Sequence, residues 1–524
     1  GNNAVGGLTV TSSPQVDLAN LTAENDIDVT GTNIDLNGTT YTSNTGSLTY
    51  NGDVDLDGSG TTTVTASANS GTGNITFNDV VNDAGSDSSL TLNASGTTTF
   101  DNSIGATSAL LGLTTDAAGT TASAGATTVK TTGDQTYNDP VTLSGSNDFN
   151  GNNITFNNTV DDSGGGTGDL TFTLNGGDAT LNGAVGGNAP LRFVSDTTTV
   201  GTININGGEV TTTSTQTYDT AVVLGADTTF TTTTGGLITF NGTLDDSTAD
   251  THALTVNSSG NLTFGDAVGG NDALANLDAS ANGNTITMNN SGTVNTTGAQ
   301  TYNDTVAFNA IATLTGTGLT FNDDLKSGSA PATLNDDGTT TFNGDVLNAS
   351  ITTDAAGTTV INTANINPAT TITFNDPLTL TADTTLDGST ITLADTVDGG
   401  QTLTLNSGGN TTLGGVVGGG TALTSLTTNT TGTTIINDGA VTTTAAQTYN
   451  DPVTLGADAT LTGTDLTLAD TVNGGQALTL NGSGTTTFSG VVGGGTALTS
   501  IETNAAGSTV LNGGQVTTTA AQTY

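Results

Sequence analysis

The sequence has no cysteine, no tryptophan, one methionine, one histidine and three basic residues in 524 positions. Without cysteine there is no disulfide framework and no thiolate metal site. Three Lys and Arg against 48 Asp and Glu give a formal charge of -45, so the chain has no basic face for DNA, RNA or an anionic membrane. It attracts cations and basic partners instead. No apolar run approaches the ~20 residues of a membrane-spanning helix. The opening GNNAVGGLTV has neither the charged start nor the apolar core of a secretory leader. The chain begins and ends in mid-pattern. The expectation is therefore a segment of a longer polypeptide whose export signal and anchor lie elsewhere.

What is abundant is threonine, roughly a quarter of the chain, and glycine, 74 residues. Low hydrophobicity with high charge favours disorder. Short alternating runs such as TLTLN and NITFN oppose it, because alternation is the mark of a half-buried strand and Thr is a β-branched strand former. No helical 3.6-residue period is present.

One phrase recurs. QTYNDPVTL stands at Gln135 and again at Gln447, with QTYDTAVVL at Gln216, QTYNDTVAF at Gln300, TITFNDPLTL at Thr371 and a final QTY at Gln522. Its aromatic falls at Tyr137, Tyr218, Tyr302, Phe374, Tyr449 and Tyr524, with Tyr50 in LTYNGDVDL as an earlier member. The steps are 87, 81, 84, 72, 75 and 75 residues. Inside each unit a smaller word repeats: YNDPV at Tyr449, LADTV at Leu468, FSGVV at Phe488 and LNGGQV at Leu511.

These spacings predict coils of about 19 residues, about four per unit, and on the order of 27 in the chain, stacked ~4.8 Å apart as a parallel β-helix. The expected organisation is one continuous solenoid over residues 1–524. Repeats are less regular over 1–130 and regular over 131–524. In the phrase itself, Tyr449 points in and Thr448 out, Asn450 and Asp451 form the corner, Pro452 fixes the bend, and Val453 and Leu455 point in on the next side. Pro is replaced in YNDTV and YDTAV, which suits a corner better than a central strand. The aromatic positions and their equivalents predict a core ladder: Tyr137, Phe156, Tyr218, Phe240, Tyr302, Phe321, Phe342, Phe374, Leu393, Tyr449, Leu468 and Phe488. A sugar-stacking platform fits less well, because Leu and Ile replace the rings.

Candidate chemistry is sparse. DVDLDG places Asp53, Asp55 and Asp57 on one strand face about 6.6 Å apart, a weak cation site that could take Ca²⁺. It opens like a calcium loop, yet Val64 stands where an EF-hand needs Glu. No other cofactor is expected. Polysaccharide-cleaving β-helices need basic residues to neutralise a sugar acid. Only Lys130, Arg192 and Lys326 are available, far apart in sequence, with His252 in a turn-like DTHALTV. The chain is therefore expected not to be an enzyme. An ice-binding face would need a Thr pair at the same place in every coil. Triple-Thr runs such as those at Thr231, Val441 and Val516 recur only once or twice per unit, in different places.

The stretch LTLNGSGTTTFSGVVGGGTALTSIETNAAGSTVLNGGQVTTTAAQTY from Leu478 resembles the repeat regions of giant bacterial surface exoproteins of the filamentous-haemagglutinin-like, β-strand-repeat kind. GAVGG at Gly183, GDAVGG at Gly265 and TDAAGTT at Thr353 are in the same style. The resemblance implies a right-handed helix, the hand also favoured for parallel crossovers. It further implies an extracellular or bacterial cell-surface location and a role as fibre, adhesin stalk or matrix element in adhesion, biofilm or cell-cell contact. Expected partners are copies of the chain, joined end to end or laterally, and cell-surface glycans or proteins. A binding tip outside this segment, and an ice- or carbohydrate-binding solenoid, are the alternatives. The resemblance carries no site residues.

Overall fold

The structure, a computed structural model, describes residues 6–67, 72–125, 127–289, 292–327, 330–347, 350–368 and 370–524; side chains of 12, 13 and 327 are also left aside. Residues 1–5, part of the opening read for a leader, lie outside the described residues. Every regular element among the described residues is a β-strand, and every register is parallel. The strands stack as a β-solenoid of about 24 turns with a repeat near 21 residues. They fall into two compact units, Gly1–Ala275 and Asn276–Tyr524.

Each turn has three faces. In the first unit a turn runs Ile75–Phe77, Val81–Asp83, Ser89–Ala94 and returns at Thr97–Phe100, where Phe100 lies over Phe77. In the second unit it runs Gln300–Tyr302, Thr305–Phe308, Ala312–Gly316 and returns at Leu319–Phe321. Within each unit we call these the first, second and third faces. Strands mostly of three to six residues with alternating burial leave a narrow interior filled chiefly by Val, Leu, Ile, Phe and Tyr.

The turn length differs from the 19 residues read in the sequence, for a local reason. Nineteen belongs to the short turns, as from Gln447 to Leu466. Turns that carry GGGTAL are longer, as from Thr486 to Thr509, 23 positions. There the chain leaves the face after Val417 or Val492, makes a glycine excursion, and re-enters through fully buried Leu423 or Leu498. The preceding turn holds each excursion: Asp398 accepts from the Gly420 and Thr421 amides, Asn473 from those of Gly495 and Thr496. Asp161 and Asp245 hold Asn188 and Asn271 in the same way.

The unit-to-turn relation is also sharper than four whole coils. From Tyr449 the second face returns at Leu468, Phe488 and Leu511. The chain then passes the third face at Val516 and reaches Gln522 on the first face, over Ile501. The 75-residue repeat is three turns and two faces. The same count holds from Tyr302, through Phe321, Phe342 and Ile361 to Ile366 and Phe374. It also holds in the first unit from Tyr50, through Phe77, Phe100 and Ser123 to Val129 and Tyr137. Repeats of 72 to 87 residues thus share one number of strands, and loops absorb the difference. Successive copies turn by one face, so Tyr302, Phe374, Tyr449 and Tyr524 lie on the first, third, second and first faces of their unit.

Candidate functional site

The recurring phrase builds two internal locks, both missed in the sequence reading. The first is the Gln. Gln447 is fully buried, and its Nε2 donates to the Val441 carbonyl at 3.0 Å, the Thr462 carbonyl one turn on at 2.8 Å, and Thr443 Oγ1 at 3.4 Å. Its Oε1 accepts from the Tyr449 hydroxyl at 3.0 Å. The same four contacts recur at Gln135 with Tyr137, Gln216 with Tyr218, and Gln300 with Tyr302. The signal was legible as V-x-T-x-x-x-Q-x-Y. Burial pushes the Tyr449 and Tyr302 phenols far above their usual range. In the TITF copy the equivalents are Ile372 and Phe374, so amide and hydroxyl are lost together and no buried polar partner is orphaned.

The second lock corrects the corner reading. Asn450 does sit at the corner, bonding back to Thr428. Asp451 points inward and is 1% exposed. Its carboxylate accepts from Thr428 Oγ1 at 2.5 Å and from Thr434 Oγ1 at 2.9 Å, both on the preceding turn. Asp139 takes Thr115 and Thr121, and Asp376 takes Thr353 and Thr359. These threonines come from TTDAAGTT and TTNTTGTT, so two distant words of the repeat are halves of one junction. Burial pushes all three carboxyls up, and the threonine hydroxyls offset only part of it.

All twelve predicted ladder residues are buried. Tyr302, Phe321 and Phe342 stack at 5.3 and 5.5 Å, and Tyr137 stacks on Phe156 at 4.8 Å with Phe149 edge-on to both. Tyr218 stacks on Phe240 at 5.1 Å. Phe374, Leu393, Tyr449, Leu468 and Phe488 continue as mixed columns.

The other candidates are scattered. Asp53, Asp55 and Asp57 face outward, Asp53 and Asp57 exposed. Asp55 stacks between Asp35 and Asn82, and the Asp53 carboxyl is pushed up by burial and by Asp79. Among the described residues no group of three His, Asp or Glu converges as a metal site. Arg192 pairs with fully buried Asp169 through Nε at 2.6 Å. Lys326 pairs with Asp324 at 2.9 Å. Lys130 ends a strand facing outward near Asp148. His252 Nδ1 lies 2.6 Å from Asp246, which also accepts the His252, Thr248 and Thr251 amides. Burial raises the Asp246 carboxyl, but these donors outweigh it and hold it below its usual range. His252 thus ties down a turn.

The threonines form a pattern that runs of letters hide. On the third face of the second unit, Thr293, Thr313, Thr333, Thr352, Thr373, Thr392 and Thr412 stand in one outward column on consecutive strands. Ile435 ends it. On the second face, Thr385, Thr404, Thr427, Thr448, Thr467 and Thr487 form another.

No family model, curated protein or solved structure matches the chain.

Proposed function

We propose that this chain is a structural segment of an extracellular or bacterial-surface fibre or long stalk, in the manner of filamentous-haemagglutinin-like exoproteins, and that it performs no catalysis. The observation that carries this reading is how the recurring phrase is used. The Gln, Tyr and Asp of QTYNDPVTL are spent on internal locks and core, its Thr residues face outward, and the copies turn from face to face. A binding epitope selected for one partner would be held on one side. A unit selected for adding length need only keep strand count and junction chemistry, and these are what stay constant. The partners we propose are further copies of the chain and surface glycans or proteins. The charge of -45 disfavours nucleic acid and anionic membranes and favours cations, including weak Ca²⁺ near Asp53, Asp55 and Asp57.

Imaging of the purified native chain by cryo-electron microscopy tests this. The expected result is extended particles or filaments with a ~4.8 Å axial repeat. Compact globular particles would overturn the fibre reading, and a distinct head on a stalk would favour the adhesin alternative.

The unbroken threonine columns favour a second reading, a face that adsorbs to an ordered uncharged lattice such as crystalline polysaccharide or ice. Thr373→Arg with Thr392→Arg should then abolish co-sedimentation with crystalline polysaccharide and any inhibition of ice recrystallisation. Absence of both activities in the unmodified chain ends that reading.

A further inference from the structure

Three carboxylates are buried at equivalent junctions with no cation to balance them. Asp139, Asp376 and Asp451 each join a corner to the turn before it through two threonine hydroxyls. The titratable groups facing them are acids and phenols. These are Asp116 and Tyr137 for Asp139, Asp354 for Asp376, and Asp470 and Tyr449 for Asp451. Other buried carboxylates of the chain are satisfied differently. Asp162 accepts four backbone amides, and Asp304 accepts two amides and the Ser280 hydroxyl. An isolated charge taken out of water is costly unless it is paired or fully hydrogen-bonded, and two hydroxyls with the aspartate's own amide offset only part of that cost. A protonated carboxyl keeps both contacts, since each threonine oxygen can accept as well as donate. The copy at Tyr218 has a neutral side chain, Thr220, in this position and keeps its carboxylate, Asp196, on the other side of the junction.

We propose that the Asp139, Asp376 and Asp451 junctions are an acid-strengthened clamp, in which proton uptake tightens one turn against the next and makes the solenoid more stable in mildly acidic than in neutral solution. Burial favours the neutral carboxyl in the folded chain over the unfolded one. The folded chain therefore takes up these protons first as the pH falls. The added stability is complete below the pKa of an unfolded aspartate and is lost as the pH rises through the folded value. A surface chain leaving a neutral interior for an acidic exterior would be reinforced by this device.

The test is the pH dependence of thermal unfolding of the whole chain. The melting temperature should rise, on the order of 5 °C, between pH 7.5 and 5. Asp139→Asn, Asp376→Asn and Asp451→Asn together mimic the protonated state. They should raise the melting temperature at pH 7.5 and flatten its dependence on pH. Asp101→Asn, Asp337→Asn and Asp387→Asn remove three exposed charges and should leave the slope unchanged. If this surface set flattens the profile equally, general repulsion explains the effect and the clamp is wrong. A melting temperature constant or falling on acidification also overturns it. Should the triple variant not fold, Asp451→Asn alone should reduce the slope by about a third, and an unchanged slope refutes the proposal.

Discussion

Replacing Gln447 by Ile should damage the solenoid more than removing the phenol beside it, and removing both should cost less than the sum. Gln447 donates to three acceptors around one corner, of which the Thr462 carbonyl also takes the Thr443 amide, and it accepts from the Tyr449 hydroxyl. Gln447→Ile leaves that hydroxyl unmet inside the core, at about 1–3 kcal/mol, and forfeits contacts worth about 0.5–1.5 kcal/mol each. Allowing for carbonyls that keep a second partner, the expected loss is about 2–4 kcal/mol. Tyr449→Phe should cost about 1–2 kcal/mol, because Oε1 of Gln447 then lacks its donor. The double variant reproduces Ile372 and Phe374, where hydroxyl and amide are absent together. It should fall short of additivity by about 1–2 kcal/mol, since the orphaned hydroxyl is charged only once. Repeat arrays open in parts, so the readout is native-state hydrogen exchange at the Gln447, Val453 and Leu466 amides beside urea unfolding. A double variant that costs the full sum of the two singles would refute the coupled lock.

Three further outcomes follow from the same geometry. Tyr50 has Leu48 where other copies have Gln, and its buried hydroxyl has no hydrogen-bond partner; Tyr50→Phe should therefore stabilise by about 1 kcal/mol in urea unfolding, whereas Tyr302→Phe destabilises. Gly432 has φ of +89°, and a Cβ there would sit 1.6 Å from the Gly409 carbonyl oxygen, so Gly432→Ala should cost about 2–4 kcal/mol and expose the 428–434 amides to exchange. For Asp162, burial raises the carboxyl, but the amides of Gly164, Gly166, Thr167 and Gly168 outweigh it and hold it low. Its contribution is present above the ordinary aspartate range and lost as the pH falls, opposite to the three clamps. Protection of the Gly166 and Gly168 amides, measured against their intrinsic exchange rates at each pH, should fall in acid, and Asp162→Asn should show that lower protection already at neutral pH.

Much of the architecture could be read from the letters because a parallel solenoid is nearly one-dimensional. Strand alternation, Gly, Asn and Asp at corners, and a return near 19 residues are local facts, and stacking like on like turns them into a fold. Tyr302, Phe321 and Phe342 could be aligned as a ladder before their 5.3 and 5.5 Å stacking was seen. What depends on three faces rather than a line was not legible. Counting residues gave about four coils per repeat. Counting strands gives three turns and two faces, because excursions such as Gly418–Thr421 lengthen a turn without adding a strand. Which way a polar corner residue points was equally hidden. Asn450 and Asp451 are neighbours with similar turn preference, yet one bonds back at the corner and the other is buried against Thr428 and Thr434. Their partners lie 17 to 23 residues away, a distance set by the length of one turn. The sequence alone determined that the chain is a stack of short strands with an apolar interior, since periodicity and composition act locally. Only the tertiary structure decided that its repeated phrase rotates around the stack and that its acids divide into amide-held and threonine-clamped sets. Both depend on which residues one full turn brings into contact.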